Sequence, residues 1–298
     1  MDGVILVDKE KDFTSFDVVA KLRGILHMKK IGHGGTLDPQ ATGVLPVFLG
    51  SATRLCDYLP DERKVYEAGI LLGVETDTED IFGTVLRETT PDVSEEMLRE
   101  AILSFIGDYD QIPPMVSAKK VDGKKLYELA RKGIVIERQP VRLRIDDIVI
   151  NEIDLPNARF TVSCEKGTYI RTLCADIGKK LGCGACMSSL RRLRHGEFLI
   201  DQAHTLSEIE EARDRGLLND WILPVESVLP YPSFCVKPEA SKLLMNGNRL
   251  RREDFEGLPD ESETSRIKVC DPDGRFMGVY RYYPDEDLYK PDKMFLPQ

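Results

Sequence analysis

One carboxylate in this chain stands where a carboxylate could do chemistry. Asp38 lies in the run Gly32-His33-Gly34-Gly35-Thr36-Leu37-Asp38-Pro39-Gln40-Ala41-Thr42-Gly43, which holds four glycines and one proline. Glycine admits positive φ, and Pro39 fixes its own φ and biases Asp38 toward an extended backbone. A loop built this way presents a single acid from a stiff frame, and shaped loops between packed elements are where chemistry tends to sit. A plain turn-rich connection would use the same residue types. The dinucleotide glycine spacing and the Gly-Lys-Ser/Thr ending of a phosphate loop are both absent. Arg171 falls in the first turn of a predicted helix, where the helix dipole disfavours a cation unless a carboxylate pairs with it. Tyr66 opens a predicted strand, a place as suited to a core tyrosine as to a working one. Glu75-Thr76-Asp77-Thr78-Glu79-Asp80 gathers four acids. The glycine and terminal glutamate of a calcium loop are missing there, which argues against a metal.

The elements that must position these residues follow from patterning. Gly3–Val7 reads as a buried strand. Thr14 or Ser15 can cap a helix to about Leu26 with Phe16, Val19, Ala20, Leu22 and Leu26 on its apolar side. Val44–Leu49 and Lys64–Gly73 read as strands around a short helix at Ser51–Leu59. Ser94–Phe105 is helical, with Met97, Leu98, Ala101, Ile102 and Phe105 on one side. The stretch Gln111–Ala118 is extended and stiffened by proline, Asp122-Gly123 marks a hairpin-like turn, and Lys124–Lys132 reads as helix. Val141–Ile153 and Arg159–Cys164 alternate as paired strands. The helix that begins at Ile170 carries Ile170, Leu173, Ile177 and Leu181 on one face, and Ser207–Gly216 is another helix. Pro224–Pro232 reads as a linker, and short strands with turns at Asn246-Gly247 and Pro272-Asp273-Gly274 follow, with Arg266–Cys270 expected to pair with Phe276–Tyr282.

Several of these stretches together resemble the bacterial tRNA pseudouridine synthase B family. The Asp38 loop matches the motif Gly-His-x-Gly-x-Leu-Asp-Pro-x-Ala-Thr-Gly at every fixed position. Lys64-Val65-Tyr66, Thr76-Asp77-Thr78-Glu79-Asp80, Gly167-Thr168-Tyr169-Ile170-Arg171 and Leu190-Arg191-Arg192 follow in the family's order. Near the start, Asp8, Lys9, Thr14 and Ser15 are kept, while Glu10 and Asp12 stand where proline and glycine are common. The match is close from about residue 3 to 230 and loose beyond.

What the resemblance implies is specific. Asp38 would be the catalytic carboxylate that acts on the sugar–base bond, kept ionised by Arg171, whose other side Asp80 would hold. Tyr66 would stack on the target base. His33 would fill the stack that the flipped nucleotide leaves, with Lys9, Thr36, Leu37, Tyr169 and Leu190 near that nucleotide. Lys119, Lys124, Lys125, Arg191 and Arg192 would bind backbone phosphates, the first three on a thumb-like basic insertion at about 111–141. The implied fold is α+β: a large mixed, mostly antiparallel sheet flanked by helices in residues 1–229, then a small PUA-like β-barrel at 230–298. The implied activity is isomerisation of a uridine, position 55 in the T-arm of tRNA, to pseudouridine after base flipping. That reaction has no redox change and no net hydrolysis, so no cofactor and no metal are expected.

The bulk numbers bound the alternatives. A chain of 298 residues with 42% apolar residues can hold one large and one small domain. The longest apolar runs are too short to cross a membrane as a helix, and no secretory pattern opens the chain, so a cytoplasmic protein, expected monomeric, is the reading. Seven cysteines argue against a disulfide framework, and Cys183-Gly184-Ala185-Cys186 has no second pair to complete a zinc site. A net charge of −10 counts against nucleic acid, yet lysines and arginines crowd between Lys119 and Arg144. A local basic surface can track phosphates on an acidic protein. Two other functions stay open: a tRNA-binding or folding protein of the same fold without catalysis, and a carboxylate-dependent glycosidase, which needs a second acid such as Asp77 or Glu79.

Overall fold

Gly3–Lys9 (β1) is buried along nearly all its length although it is the end strand of its sheet, because backbone bridges from Leu223 to Val4 and from His204 to Val7 cover its outer edge. Residues 1–56, 58, 63–117, 119–121, 124–126, 129, 133–134, 136–259 and 265–296 are described in this computed structural model, without the side chains of 120, 121, 124 and 125. Ser15–Leu26 (α1) follows β1 and opens on a capping box. The Thr14 hydroxyl accepts from the Asp17 N–H, and the Asp17 carboxylate accepts from the Thr14 N–H. The buried face of α1 is Ser15, Val18, Val19, Leu22 and Ile25. Phe16, expected inside, is 62% exposed. The helix is rolled so that Ser15 turns inward, where its hydroxyl bonds the Leu37 backbone.

Ile31–His33 (β2) and Thr42–Leu49 (β3) enclose the Asp38 loop and pair with each other. Lys64–Leu72 (β4) leads to a small hairpin of Val74–Thr76 (β5) and Val85–Glu88 (β6). Glu95–Leu103 (α2) is capped by Ser94 and precedes Gly107–Gln111 (β7). Lys120–Val121 (β8) and Lys124–Lys125 (β9) pair antiparallel, so the helix expected from Lys124 starts two residues later, with Leu126 and Leu129 helical. The Asp122-Gly123 turn itself lies outside the described residues. Val141–Asp154 (β10) and Asn157–Cys164 (β11) form the expected antiparallel pair. Ile170–Leu181 (α3), Ala185–His195 (β12), Phe198–Leu199 (β13) and Leu206–Asp214 (α4) complete the larger unit.

The main sheet has the order β1-β3-β12-β4-β11-β10-β7, with β2 and β13 attached to β3 and β12. Every pairing is antiparallel except that of β3 with β12, where Thr42 lies opposite Arg191 and Gly43 opposite Arg192. β12 therefore sits between two strands that precede it by more than a hundred residues. On one part of the sheet Phe160, Ile145 and Ile70 pack against Leu98 and Ile102 of α2 and Leu173 and Ile177 of α3. On another, Ile5, Val7, Leu45 and Val47 pack against Val18 and Leu22 of α1 and Ile209 of α4.

The alternate residues of the same strands, Val4, Leu6, Val44 and Phe48, share a cluster with Val279 and Phe295 from the tail. That tail is a small β unit. Ser233–Cys235 (β14), Arg266–Cys270 (β15), Phe276–Tyr283 (β16) and Leu288–Met294 (β17) form a sheet in chain order, with β15 and β16 paired as the turn signal implied. Outside these strands, Leu250 exchanges backbone hydrogen bonds with Tyr289 of β17, and Phe255 bridges Val236 just beyond β14, so the segment from Leu250 to Phe255 links the two edges of the sheet in the manner of the expected small barrel. Ser241–Met245 (α5) lies beside it. No helix among the described residues is long and apolar enough to cross a membrane. Cys183 and Cys186 are buried, and no His/Cys/Asp/Glu group among the described residues could hold a metal ion.

Candidate active site

The Asp38 loop is pinned from below by three residues spanning the end of β1 to the start of α1. The Lys9 ammonium donates to the carbonyls of Glu10 at 2.9 Å, Phe13 at 2.6 Å and Pro39 at 3.1 Å. The Asp12 N–H donates to the Pro39 carbonyl at 2.9 Å, and the Ser15 hydroxyl accepts from the Leu37 N–H at 2.9 Å. A turn closes over Asp38 itself, with the Ala41 N–H donating to its carbonyl at 3.1 Å. Lys9 is completely buried. Burial lowers its ammonium pKa to about 8 against the opposing pull of Asp38 and Asp12. Its three N–H groups are already committed, so Lys9 shapes the loop from beneath instead of touching a substrate as expected.

The loop's glycines are used where no side chain could fit. Gly35 takes φ +70, and a Cβ there would lie 2.6 Å from His195 Cε1. Gly43 takes φ +107, and a Cβ would lie 2.2 Å from the Arg192 carbonyl oxygen. These contacts bring the loop against β12, whose Arg192 donates to the Val44 carbonyl at 2.8 Å and the Gly35 carbonyl at 3.0 Å. Arg192 is completely buried, which rules it out as the phosphate ligand expected from sequence. Across the β4–β12 pair it lies opposite Tyr66. Burial raises the Tyr66 hydroxyl pKa, and Arg192 opposes that shift. Arg191 points the other way. It is partly exposed and binds the Asp8 carboxylate through two nitrogens, at 3.1 and 2.7 Å.

Arg171 is where the pieces meet. Its Nε lies 3.0 Å from Asp38 Oδ2 and 4.0 Å from Asp80 Oδ2. Its two terminal nitrogens donate to the Thr78 carbonyl at 2.9 Å and the Val116 carbonyl at 3.1 Å. Such a fork, filled on every side, fixes the guanidinium in direction as well as position. Asp80 is held in turn by the Thr78 hydroxyl at 2.8 Å and the Phe82 N–H at 3.0 Å. The loop that carries it docks on β12 through the Met187 N–H to the Glu79 carbonyl and the Ile81 N–H to the Met187 carbonyl.

These residues line a cleft of about 200 Å³. Asp38, Thr36 and Leu37 form one side, Tyr66 and Leu190 the strand floor, and Tyr169 and Arg171 the start of α3. Asp38 is the only carboxylate among the described lining residues. Of the remaining expected residues, His33 lies on β2 outside this lining, half-buried and with Nδ1 unbonded. Burial, with Arg192, lowers its imidazole pKa. Lys119 is partly buried and also outside the lining. The side chains of Lys124 and Lys125 lie outside the described atoms.

Sequence reading missed Gln111. Its buried side-chain amide accepts from the Tyr169 N–H at 2.8 Å and donates to the Tyr169 carbonyl at 2.9 Å. It thus supplies the cap that α3 lacks from its own residues. Lys64 and Ser117 in the cleft wall were missed as well. Only the position of Gln111 and Ser117 beside the two prolines of the extended stretch could have drawn attention to them.

The chain is similar to known proteins along nearly all its length. Residues 23–170 match the model described as "TruB family pseudouridylate synthase (N terminal domain)" and residues 171–230 that described as "tRNA pseudouridylate synthase B C-terminal domain". The tRNA pseudouridine synthase B of Lachnoclostridium phytofermentans is 48% identical, covering 99% of this chain and 100% of the relative. The Bacillus pumilus protein of the same name is 42% identical, covering 99% and 97%. A crystal structure of a Cbf5–Nop10–Gar1 complex contains a chain that superposes with a TM-score of 0.73 at 27% identity, covering 99% of this chain and 85% of that one. With relatives this similar from end to end and the motif loop, its arginine and its tyrosine gathered around one cleft, the chain belongs to the TruB family of pseudouridylate synthases.

Proposed function

We propose that the protein isomerises a uridine of tRNA to pseudouridine, at position 55 in the T-arm. The observation that carries this reading is the lone cleft carboxylate, Asp38, paired at 3.0 Å with a buried arginine. In the reaction the bond from C1′ to N1 of the uracil breaks and one from C1′ to C5 of the same base forms. The C5 proton leaves and N1 gains one, so no group is added or lost and no cofactor is needed. Asp38 supplies the carboxylate at which the sugar–base bond is exchanged. Arg171 aims that carboxylate, and Asp80 braces the arginine. Tyr66 and Leu190 offer the flat apolar surfaces between which a flipped base can lie.

A cleft with one carboxylate among its described lining residues does not suit a glycosidase, which acts through two. The basic segment at about 111–141 would grip the backbone of the T-arm as a thumb, and Arg191, partly exposed on β12 beside Asp8, would add to it. Residues 1–229 then form the catalytic unit and 230–298 an RNA-binding appendage, in a monomeric cytoplasmic enzyme. The deciding experiment is incubation with a T-arm stem-loop followed by mass spectrometric or chemical detection of pseudouridine at one position. Absence of product under conditions where the RNA binds defeats the reading.

A further inference from the structure

Ser117 forms part of the cleft wall beside Asp38, Tyr66, Arg171 and Leu190. The residue is 6% exposed, and its hydroxyl is sealed from solvent without a hydrogen-bond partner. Buried hydroxyls are nearly always bonded, because desolvation with no partner is uncompensated. A folded protein keeps such a group where something else will bond it.

The backbone around Ser117 is held without any help from that hydroxyl. The Val116 carbonyl takes a hydrogen bond from Arg171 at 3.1 Å. Pro113 and Pro114 stiffen the approach, and the Pro113 carbonyl accepts from Arg138 at 2.9 Å. At the far end Gln111 clamps Tyr169. The stretch from Gln111 to Ser117 is therefore tied at both ends to the helix that carries Arg171. The side chain hangs from a fixed point and needs only rotation about χ1 to change its aim.

Resting on the uridine reading of this cleft, we propose that Ser117 is a substrate-contacting residue whose hydroxyl bonds the polar edge of the flipped pyrimidine. Asp38 and Arg171 are engaged with each other, and Tyr66 and Leu190 present apolar surface. A base seated between those faces has carbonyl and N–H groups that leave water on entry and require partners. A hydroxyl can donate to one or accept from the other. The base thereby gains its bond and Ser117 loses its unpaired state in the same step.

The test compares native protein, Ser117→Ala and Ser117→Thr on a T-arm stem-loop, together with thermal unfolding of each protein without RNA. For Ser117→Ala the two readouts move apart. The free protein melts at or above the native temperature, since no bond is lost, while kcat/KM falls by about 5- to 10-fold. Ser117→Thr, which keeps the hydroxyl, recovers part of that loss. A Ser117→Ala kcat/KM within twofold of native overturns the proposal. So does a lowered melting temperature accompanying the loss, which would make Ser117 structural. Native protein that forms no pseudouridine defeats the uridine reading itself, an outcome distinct from active native protein with an indifferent Ser117→Ala.

Discussion

Arg171 and Asp38 form an unequal pair: the arginine side chain is 6% exposed and the aspartate 46%. The cation is fixed by two backbone carbonyls from distant segments, whereas one side of the carboxylate remains open to whatever enters. Replacing the open partner should cost chemistry and little else. Asp38→Asn is expected to abolish turnover while RNA affinity stays within about tenfold, or roughly 1.4 kcal/mol. A product assay with a filter-binding titration checks both halves, and normal turnover would remove Asp38 from the mechanism.

Replacing the buried partner has a different signature. Lysine keeps the charge of Arg171 but has no planar fork, so it cannot meet Asp38, the Thr78 carbonyl and the Val116 carbonyl at once. Arg171→Lys is expected to lower kcat by about a hundredfold, ~2.7 kcal/mol of barrier, with KM changed far less. Single-turnover kinetics at saturating enzyme would show it. A kcat near native would mean that charge alone suffices.

Binding should weaken steeply with salt, because lysines and arginines that meet phosphates release condensed counterions. Lys119→Gln is expected to weaken binding of all RNAs alike and to flatten the log–log salt slope by about one. Affinities measured across a range of potassium chloride concentrations decide this. A flat response in the native protein would leave the basic segment without its assigned role.

Acid should loosen the fold through His195. Burial, reinforced by the charges of Arg192 and Lys64, lowers its imidazole pKa from 6.5 to about 2. Between those values the unfolded chain holds a proton that the folded chain does not. Stability is thus intact above pH 6.5 and falls as pH drops below it, by about 1.4 kcal/mol per pH unit. His33 shifts the same way. In urea titrations at about pH 7.5 and about pH 5.5, His195→Gln is expected to lose about 1.4 kcal/mol less on acidification than native protein. Equal losses would count against a neutral buried His195.

The parts of the molecule governed by near neighbours could be read from the chain alone. The capped start of α1, the β10–β11 pair and the β15–β16 hairpin follow from spacing and turn residues a few positions apart. The Asp38 loop could be found because its glycines, proline and acid are contiguous. The errors fall on charged residues that tertiary structure takes inside. Lys9 and Arg192 look like surface cations in any window of sequence, and only the carbonyls of Pro39, Val44 and Gly35 converging from elsewhere make their burial tolerable. Gln111 was illegible for the same reason, since its partner Tyr169 is supplied by a distant helix start. The helix expected from Lys124 opens only at Leu126, because Lys124 and Lys125 are taken by pairing with Lys120–Val121.

The placement of β12 between β3 and β4 bears on how the enzyme is made. A nascent chain leaves the ribosome from its amino end, and domains usually fold as they emerge. Here the strand that buttresses the Asp38 loop is among the later ones synthesised. Translation must run past His195 and clear the exit tunnel before a competent pocket can close. Until then the motif hangs beside an unfilled seam, so any truncated product ending short of that strand is inert however intact its catalytic acid.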